Sequence, residues 1–302
     1  MNLVITQPMP RAIISWFNAL SGPAKGVVWM LLAAICLTGM AVAVRILSQS
    51  LHTFEIVFFR TALGVPLMLP WQYRVGLNRL WTQNARLLTL RAVMTATAAT
   101  TYFWGLKLIP LADATAIMFT RPMFAAILAM IFLHEIVGDR RWTAMAAGFS
   151  GVLIMTRPGL ADVDTGVLLV LVSAVFAAAA AILVRRISRD DTPDTITMYQ
   201  AGSVGLITLI PAVIVWRTPD VTETIWVVVM AVLGTLGQRA LVRSFAAGEI
   251  SFVLPFDFTR LIFADGLGYA LFGESPEIWT WIGGTVIFAA TNFLAWTVRP
   301  GR

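Results

Sequence analysis

Charge is scarce in this chain. Asp, Glu, Lys and Arg make up 13% of its 302 residues, against 58% hydrophobic ones. Soluble domains carry about 25% charged residues, so a water-soluble globular fold is excluded. Cysteine is almost absent. Cys36 stands alone in an apolar run, which rules out an intrachain disulfide and a cysteine metal site and leaves a small packing residue. The two histidines, His52 and His134, lie near the ends of apolar runs without metal-ligand spacing, so no metal site is expected. No Walker A loop occurs, which argues against direct ATP hydrolysis. Enzyme motifs are lacking, and neither an enzymatic activity nor a cofactor is expected. The net charge of +6 is scattered between apolar spans, so nucleic acid is not expected as a partner. No cleavable signal peptide is expected. Arg11–Leu20 is too short to span and reads as an interfacial amphipathic segment.

What the chain has is apolar runs. They fall at about 26–46, 54–72, 87–106, 111–133, 142–157, 166–184, 198–216, 225–247, 250–272 and 279–298, with ends uncertain by about 2–4 residues. A bilayer core about 30 Å thick needs roughly 20 apolar residues per helix. Ten such helices leave no room for an extramembrane domain. The runs lack period-two alternation and exceed the roughly 9–11 residues of a barrel strand. The expected fold is therefore an all-α integral membrane protein of ten transmembrane helices. Basic residues set the orientation. With the N-terminus inside, Arg11, Lys25, Arg74, Arg79, Arg86, Arg140, Arg141, Arg185, Arg186, Arg189, Arg299 and Arg302 fall on the inner side. Arg45, Lys107, Arg157 and Arg217 fall on the outer side. Both termini are expected in the cytoplasm.

The chain repeats itself. Phe119–Glu135 returns 139 residues later as Phe258–Glu274, without gaps. Phe119/Phe258, Thr120/Thr259, Arg121/Arg260, Phe124/Phe263, Ala125/Ala264, Leu128/Leu267 and Glu135/Glu274 are identical. Gly26-Val27 and Val44-Arg45 match Gly166-Val167 and Val184-Arg185, Trp142 matches Trp281, and Arg157-Pro158-Gly159 matches Arg299-Pro300-Gly301. The expected organisation is a cytoplasmic or interfacial segment over 1–25, then five-helix repeats over 26–159 and 160–302. An odd number of helices per repeat inverts the second against the first. That is a plan of secondary transporters, with the substrate site near the midplane between repeats.

Each repeat places one arginine, Arg121 or Arg260, near the middle of an apolar span. Such a charge costs about 2.5–3.5 kcal/mol on insertion scales. Either the two fix packing through carbonyls and acids, or they face a water-filled cavity and bind an anionic group. Asp257 lies three residues before Arg260 and can pair with it on one helix face. Asp265 lies on a different face. Arg121 has no acid within a turn and needs Asp257, Asp265 or a substrate carboxylate. Asp257 and Asp265 are the candidates for proton coupling. Pro122 and Pro255 each free a carbonyl and are expected to kink spans 4 and 9 beside the arginines. Tyr102, Trp104 and Met118, with Tyr199, Gln200 and Gln238, suit the lining of a cavity for a small amphiphilic solute. Arg91 and Arg243 are expected to snorkel to the inner interface; Arg60 and Arg239 sit deeper.

Ten spans in two inverted halves, the Phe-Phe-Arg-Thr-Ala run at Phe58–Ala62, and the Glu135 and Glu274 span ends together resemble the EamA branch of the drug/metabolite transporter superfamily. The resemblance covers about 26–299. It implies a secondary transporter of the bacterial inner membrane with alternating access, spans 1–4 and 6–9 around a central cavity, and spans 5 and 10 peripheral. Four-helix multidrug relatives use a carboxylate in span 1; this chain has Thr38-Gly39 there and no acid, so proton-coupled drug antiport is not expected. The lining looks most like that of an exporter of neutral or aromatic amino acids. The leading expectation is export of amino acids or related metabolites, by a monomer or weak homodimer in the lipid bilayer. The alternatives are a carrier for another metabolite such as a vitamin or nucleoside, importers included, and a non-transporting scaffold or receptor.

Overall fold

The computed structural model describes residues 20–75, 82, 84–133, 139–156, 164–187, 191, 193–247, 254–274 and 277–297. Apart from Leu20, the segment Arg11–Leu20 lies outside the described residues, as does the span end His134-Glu135. All regular structure among the described residues is helical. In hydrocarbon no water is available to the backbone, so each span must satisfy its own N–H and C=O groups. The helices are α1 (Gly22–Leu47), α2 (Thr53–Val75), α3 (Ala85–Leu108), α4 (Leu111–Met118), α5 (Arg121–Leu133), α6 (Asp139–Thr156), α7 (Thr165–Ile187), α8 (Pro193–Ile214), α9 (Val221–Ala247), α10 (Thr259–Phe272) and α11 (Ile278–Thr297). Span 4 is α4 with α5; span 9 is a 3₁₀ turn, Leu254–Phe258, running into α10. The segments Ala24–Leu47, Leu111–Phe132, Thr165–Val184 and Val221–Ser244 are each long and apolar enough to cross a membrane. Large apolar side chains stand exposed on the outside, among them Ile131, Phe132, Leu153, Leu206, Ile210 and Ile214, where lipid rather than water is the fitting neighbour.

Both spans that carry a repeated arginine are interrupted just before it. Pro122 cannot supply an N–H to Met118, and span 4 breaks at Phe119-Thr120. The N–H groups of Phe119 and Thr120 donate to Ala116 and Ile117, three residues back, at 3.1 and 2.9 Å, the tighter 3₁₀ pattern. The Thr120 hydroxyl donates to the Ile117 carbonyl at 2.7 Å. The Thr291 hydroxyl of α11 donates to the Phe119 carbonyl at 3.0 Å. In span 9 the equivalent Thr259 hydroxyl donates to the Phe256 carbonyl, again three back and at 2.7 Å. The same residue makes the same local turn in both halves.

Helix pairing carries the inverted symmetry. α1 packs on α9 and α3 on α7, two contacts that the repeat exchanges; α2–α8, α6–α11 and the pairing of span 4 with span 9 map onto themselves. Phe119 and Phe258, equivalent by sequence, stand with ring centroids 5.7 Å apart. Equivalent residues can touch in this way only where the pseudo-two-fold axis passes between them. Off the axis, the Ser244 hydroxyl donates to the Gly26 carbonyl at 2.7 Å. Its counterpart Gly105 comes so close to the counterpart carbonyl, that of Gly166, that a Cβ would lie 3.1 Å away. The main core cluster draws on α1–α4 and α7–α10. A second cluster ties α6 and α11 to spans 4 and 9 through Phe119, Met123, Met145, Leu261 and Ile287, which puts spans 5 and 10 to one side.

The α6–α11 contact is built on glycine. A Cβ at Gly151 would sit 2.7 Å from the Gly283 carbonyl oxygen and 3.0 Å from the Ile287 nitrogen, both backbone atoms that cannot step aside. A Cβ at Gly148 would collide with the end of the Met123 side chain, at 1.9–2.0 Å, and make ordinary contact with Ala290 Cβ at 3.5 Å; a methionine end can swing away. Gly151→Ala should therefore cost about 1–3 kcal/mol, the usual range for overpacking, and Gly148→Ala clearly less. Thermal unfolding of the two purified variants in detergent checks the order; equal losses would refute it.

Candidate substrate-binding site

Arg121 is the first residue of α5. Its side chain is exposed, although Thr120 before it and Met123 after it are completely buried. Its electrostatic neighbours are Asp257, which attracts it, and Arg260, which repels it. No carboxylate among the described residues comes within ion-pair distance of it. Asp257 is already engaged: its Oδ1 lies 3.8 Å from the Arg260 guanidinium, the i, i+3 pair expected from the sequence. That contact is loose, since Asp257 Oδ1 and Arg260 Nε are both buried without a hydrogen bond. Tyr102 joins from α3, with Thr115 and Arg260 within electrostatic reach. Spans 3, 4 and 9 thus bring together two guanidiniums, one carboxylate and one phenol. The group is one positive charge in excess at a point where free charge is costly.

Of the other expected lining residues, Met118 is half-buried and packs against the main core cluster, as Tyr102 does. Trp104, two residues from Tyr102 and so on the far side of α3, is exposed, with its ring edge-on to His52 at 6.5 Å. The structure does not bring it to the arginines. Tyr199 packs with Leu88, Ile187 and Ile196. Gln238 is exposed on α9, and Asp265 is half-buried on α10. Gln200 accepts a hydrogen bond from Arg91, whose other terminal nitrogen donates to the Ile196 carbonyl at 3.3 Å. The expectation that Arg91 snorkels is corrected here. Its head turns inward because α8 offers an amide and a carbonyl close by. Arg243 lies exposed over the Trp29 ring, 4.9 Å from its centroid.

One constellation was not read from the sequence. At the far end of α1, Arg45 forms an ion pair with Glu274, donates to the Ile109 carbonyl at 3.0 Å and stacks over Phe272 at 4.9 Å. Glu274 also accepts from the Leu111 N–H at 3.1 Å, capping α4. Gly273, at φ +68°, turns the chain out of α10 so that Glu274 can reach back. A cavity of about 500 Å³ opens beside the pair, lined by Arg45, Ser48, Gln49, Lys107, Leu271, Phe272 and Glu274. The signal lay in the repeat: Val44-Arg45 and Glu274 both recur at span ends. Their meeting depends on helix packing, which no repeat encodes.

Fold, inverted pairing and a charged midspan cluster define a membrane transporter, and the chain belongs to the EamA-like transporter family, whose model matches residues 24–157 and 164–296. It is 27% identical to a riboflavin transporter of Vibrio cholerae, over 93% of this chain and 96% of that protein. It is 30% identical to the pseudopaline exporter CntI of Pseudomonas aeruginosa, over 91% and 97%. With an S-adenosylmethionine uptake transporter of Rickettsia prowazekii it shares 26% identity, over 93% and 96%. A solved crystal structure superposes with a TM-score of 0.63 at 13% identity, over 89% of this chain and 96% of that one; this likeness speaks for the fold alone. The chain is thus a multi-pass membrane transporter of small metabolites.

Proposed function

We propose that this protein exports an amino acid or related carboxylate metabolite across the bacterial inner membrane by alternating access between halves 26–159 and 160–302, with both termini cytoplasmic. The observation that carries the reading is Arg121, exposed at midspan with no ion-pair partner among the described residues. A substrate carboxylate supplies the missing negative charge, and a guanidinium binds it with two parallel hydrogen bonds. Arg260, with Tyr102 beside it, completes the anion site. Met118 contacts the apolar part of the solute, and Tyr199, Gln200 and Gln238 serve the inward half of the path. Asp257, with its buried unbonded oxygen, is the better candidate for proton coupling than Asp265. The working unit is a monomer or weak homodimer. Similarity to an exporter supports the direction.

A second reading has specific support. The likeness to riboflavin and S-adenosylmethionine uptake transporters favours a carrier for a vitamin or nucleoside derivative working inward. Purified protein in liposomes separates the two. Flux of amino acids, riboflavin and S-adenosylmethionine is followed with and without a pH gradient. Amino-acid flux is expected; flux of riboflavin alone sinks the first reading, and indifference to the gradient removes the role of Asp257.

A further inference from the structure

Arg60 is a charge that the site above does not use. It lies seven residues into α2, about 10 Å along the helix from Thr53. Its Nε is buried without a hydrogen bond. The terminal nitrogens make no hydrogen bond or ion pair with the described residues, and the residue as a whole is half-buried. Among the described residues its partner is the Phe103 ring, 5.9 Å away. Gly234 of α9 leaves it room: a Cβ there would stand 3.4 Å from Arg60 Nε. A packing role would require a carbonyl or a carboxylate. The other well-buried charges have one, Arg91 in Gln200 and Arg260 in Asp257. Arg60 shares with Arg121 the lack of such a partner.

Arg60 and the Arg121–Arg260 site both border α3. Phe103, under Arg60, is 6.1 Å from the Tyr102 ring, and Tyr102 lies within reach of Arg260. We infer that Arg60 is a second anion-binding point, so that the substrate carries two anionic groups, one for the Arg121–Arg260 site and one for Arg60. This rests on the reading of Arg121 as a carboxylate site. It moves the substrate from a neutral amino acid towards an acidic one or another dicarboxylate. Two charged groups held at two separate points also fix the solute's orientation along the path, which one contact cannot do.

The test uses the full chain in detergent and three acids of graded charge: butyrate, succinate and tricarballylate. Binding is read from thermal stabilisation against ligand concentration. In the wild type, succinate should bind at least tenfold more tightly than butyrate, the least that one more charge-assisted contact gives. Arg60→Gln should remove that preference, so that succinate binds no more tightly than butyrate; Arg60→Lys should keep part of it. Arg121→Met should weaken all three acids. A wild type that binds succinate no better than butyrate, or binds none of the acids, overturns the inference without any variant. A preference that survives in Arg60→Gln overturns it as well. Unchanged binding in Arg121→Met overturns the carboxylate reading instead, so the two failures are told apart.

Discussion

Arg121→Met should abolish transport and leave the protein as stable as before, or more so. A hydrogen bond to a charged group is worth about 1.5–3 kcal/mol net, and a bidentate guanidinium–carboxylate contact makes two. Flux should fall by at least about a hundredfold. The stability half of the expectation has the opposite sign because Arg121 has no ion-pair partner among the described residues to lose. Its removal instead relieves about 2.5–3.5 kcal/mol of insertion cost, less whatever water in the cavity already offsets. Arg260→Met should also stop transport, but it strands Asp257, which among the described residues has only that guanidinium within ion-pair distance, and stability should drop. Flux into liposomes and thermal unfolding, run on both variants, read the two signs. A destabilised Arg121→Met with normal flux would make Arg121 a structural residue.

Glu274→Ala should give the largest loss of stability of any single change at the span ends. Both partners of the Arg45–Glu274 pair are mostly sealed, with 17% and 15% of their side-chain surface exposed. Removing one partner of such a pair typically costs about 3–5 kcal/mol, because the other is left charged in a poor solvent. The Leu111 N–H loses its acceptor in the same change. Glu274→Gln keeps that acceptor and should cost less. The double replacement Arg45→Met with Glu274→Met strands no charge and should recover much of the loss. Thermal unfolding of the wild type, Arg45→Met, Glu274→Met and the double variant closes the cycle; a double variant no better than Glu274→Met would show that the pair is not a unit.

Much of the architecture was legible in the sequence because membranes restrict it so strongly. Long apolar runs with few charges have one structural outcome in lipid, and the doubled Phe-Thr-Arg stretch fixed the inversion by counting helices. The breaks beside Arg121 and Arg260 followed from Pro122 and Pro255 for a local reason, a missing N–H. Legibility ended where a side chain had to choose between faces of a helix. Trp104 and Tyr102 look equivalent in sequence, yet two positions are 200° on a helix and only one of them meets the arginines. Arg91 looked like an interfacial residue by depth alone. Its real partner, Gln200, is 109 residues away and comes close only through the packing of α3 on α8. The Arg45–Glu274 ion pair was hidden for the same reason.

Because the Phe119–Phe258 contact lies on the axis, it bears differently on the transport cycle from every contact beside it. If the halves exchange conformations during alternating access, α1–α9 takes on the geometry of α3–α7 and the reverse. A contact off the axis, such as Ser244 with Gly26, then belongs to one side of the cycle, and altering it tilts the balance between the two facing states. The ring pair at the centre is its own counterpart. Trimming it to leucine lowers or raises both facing states together and changes only the height between them. Its signature is a changed turnover rate with an unchanged ratio of inward to outward affinity: Phe119 and Phe258 act as a fulcrum and not as a weight.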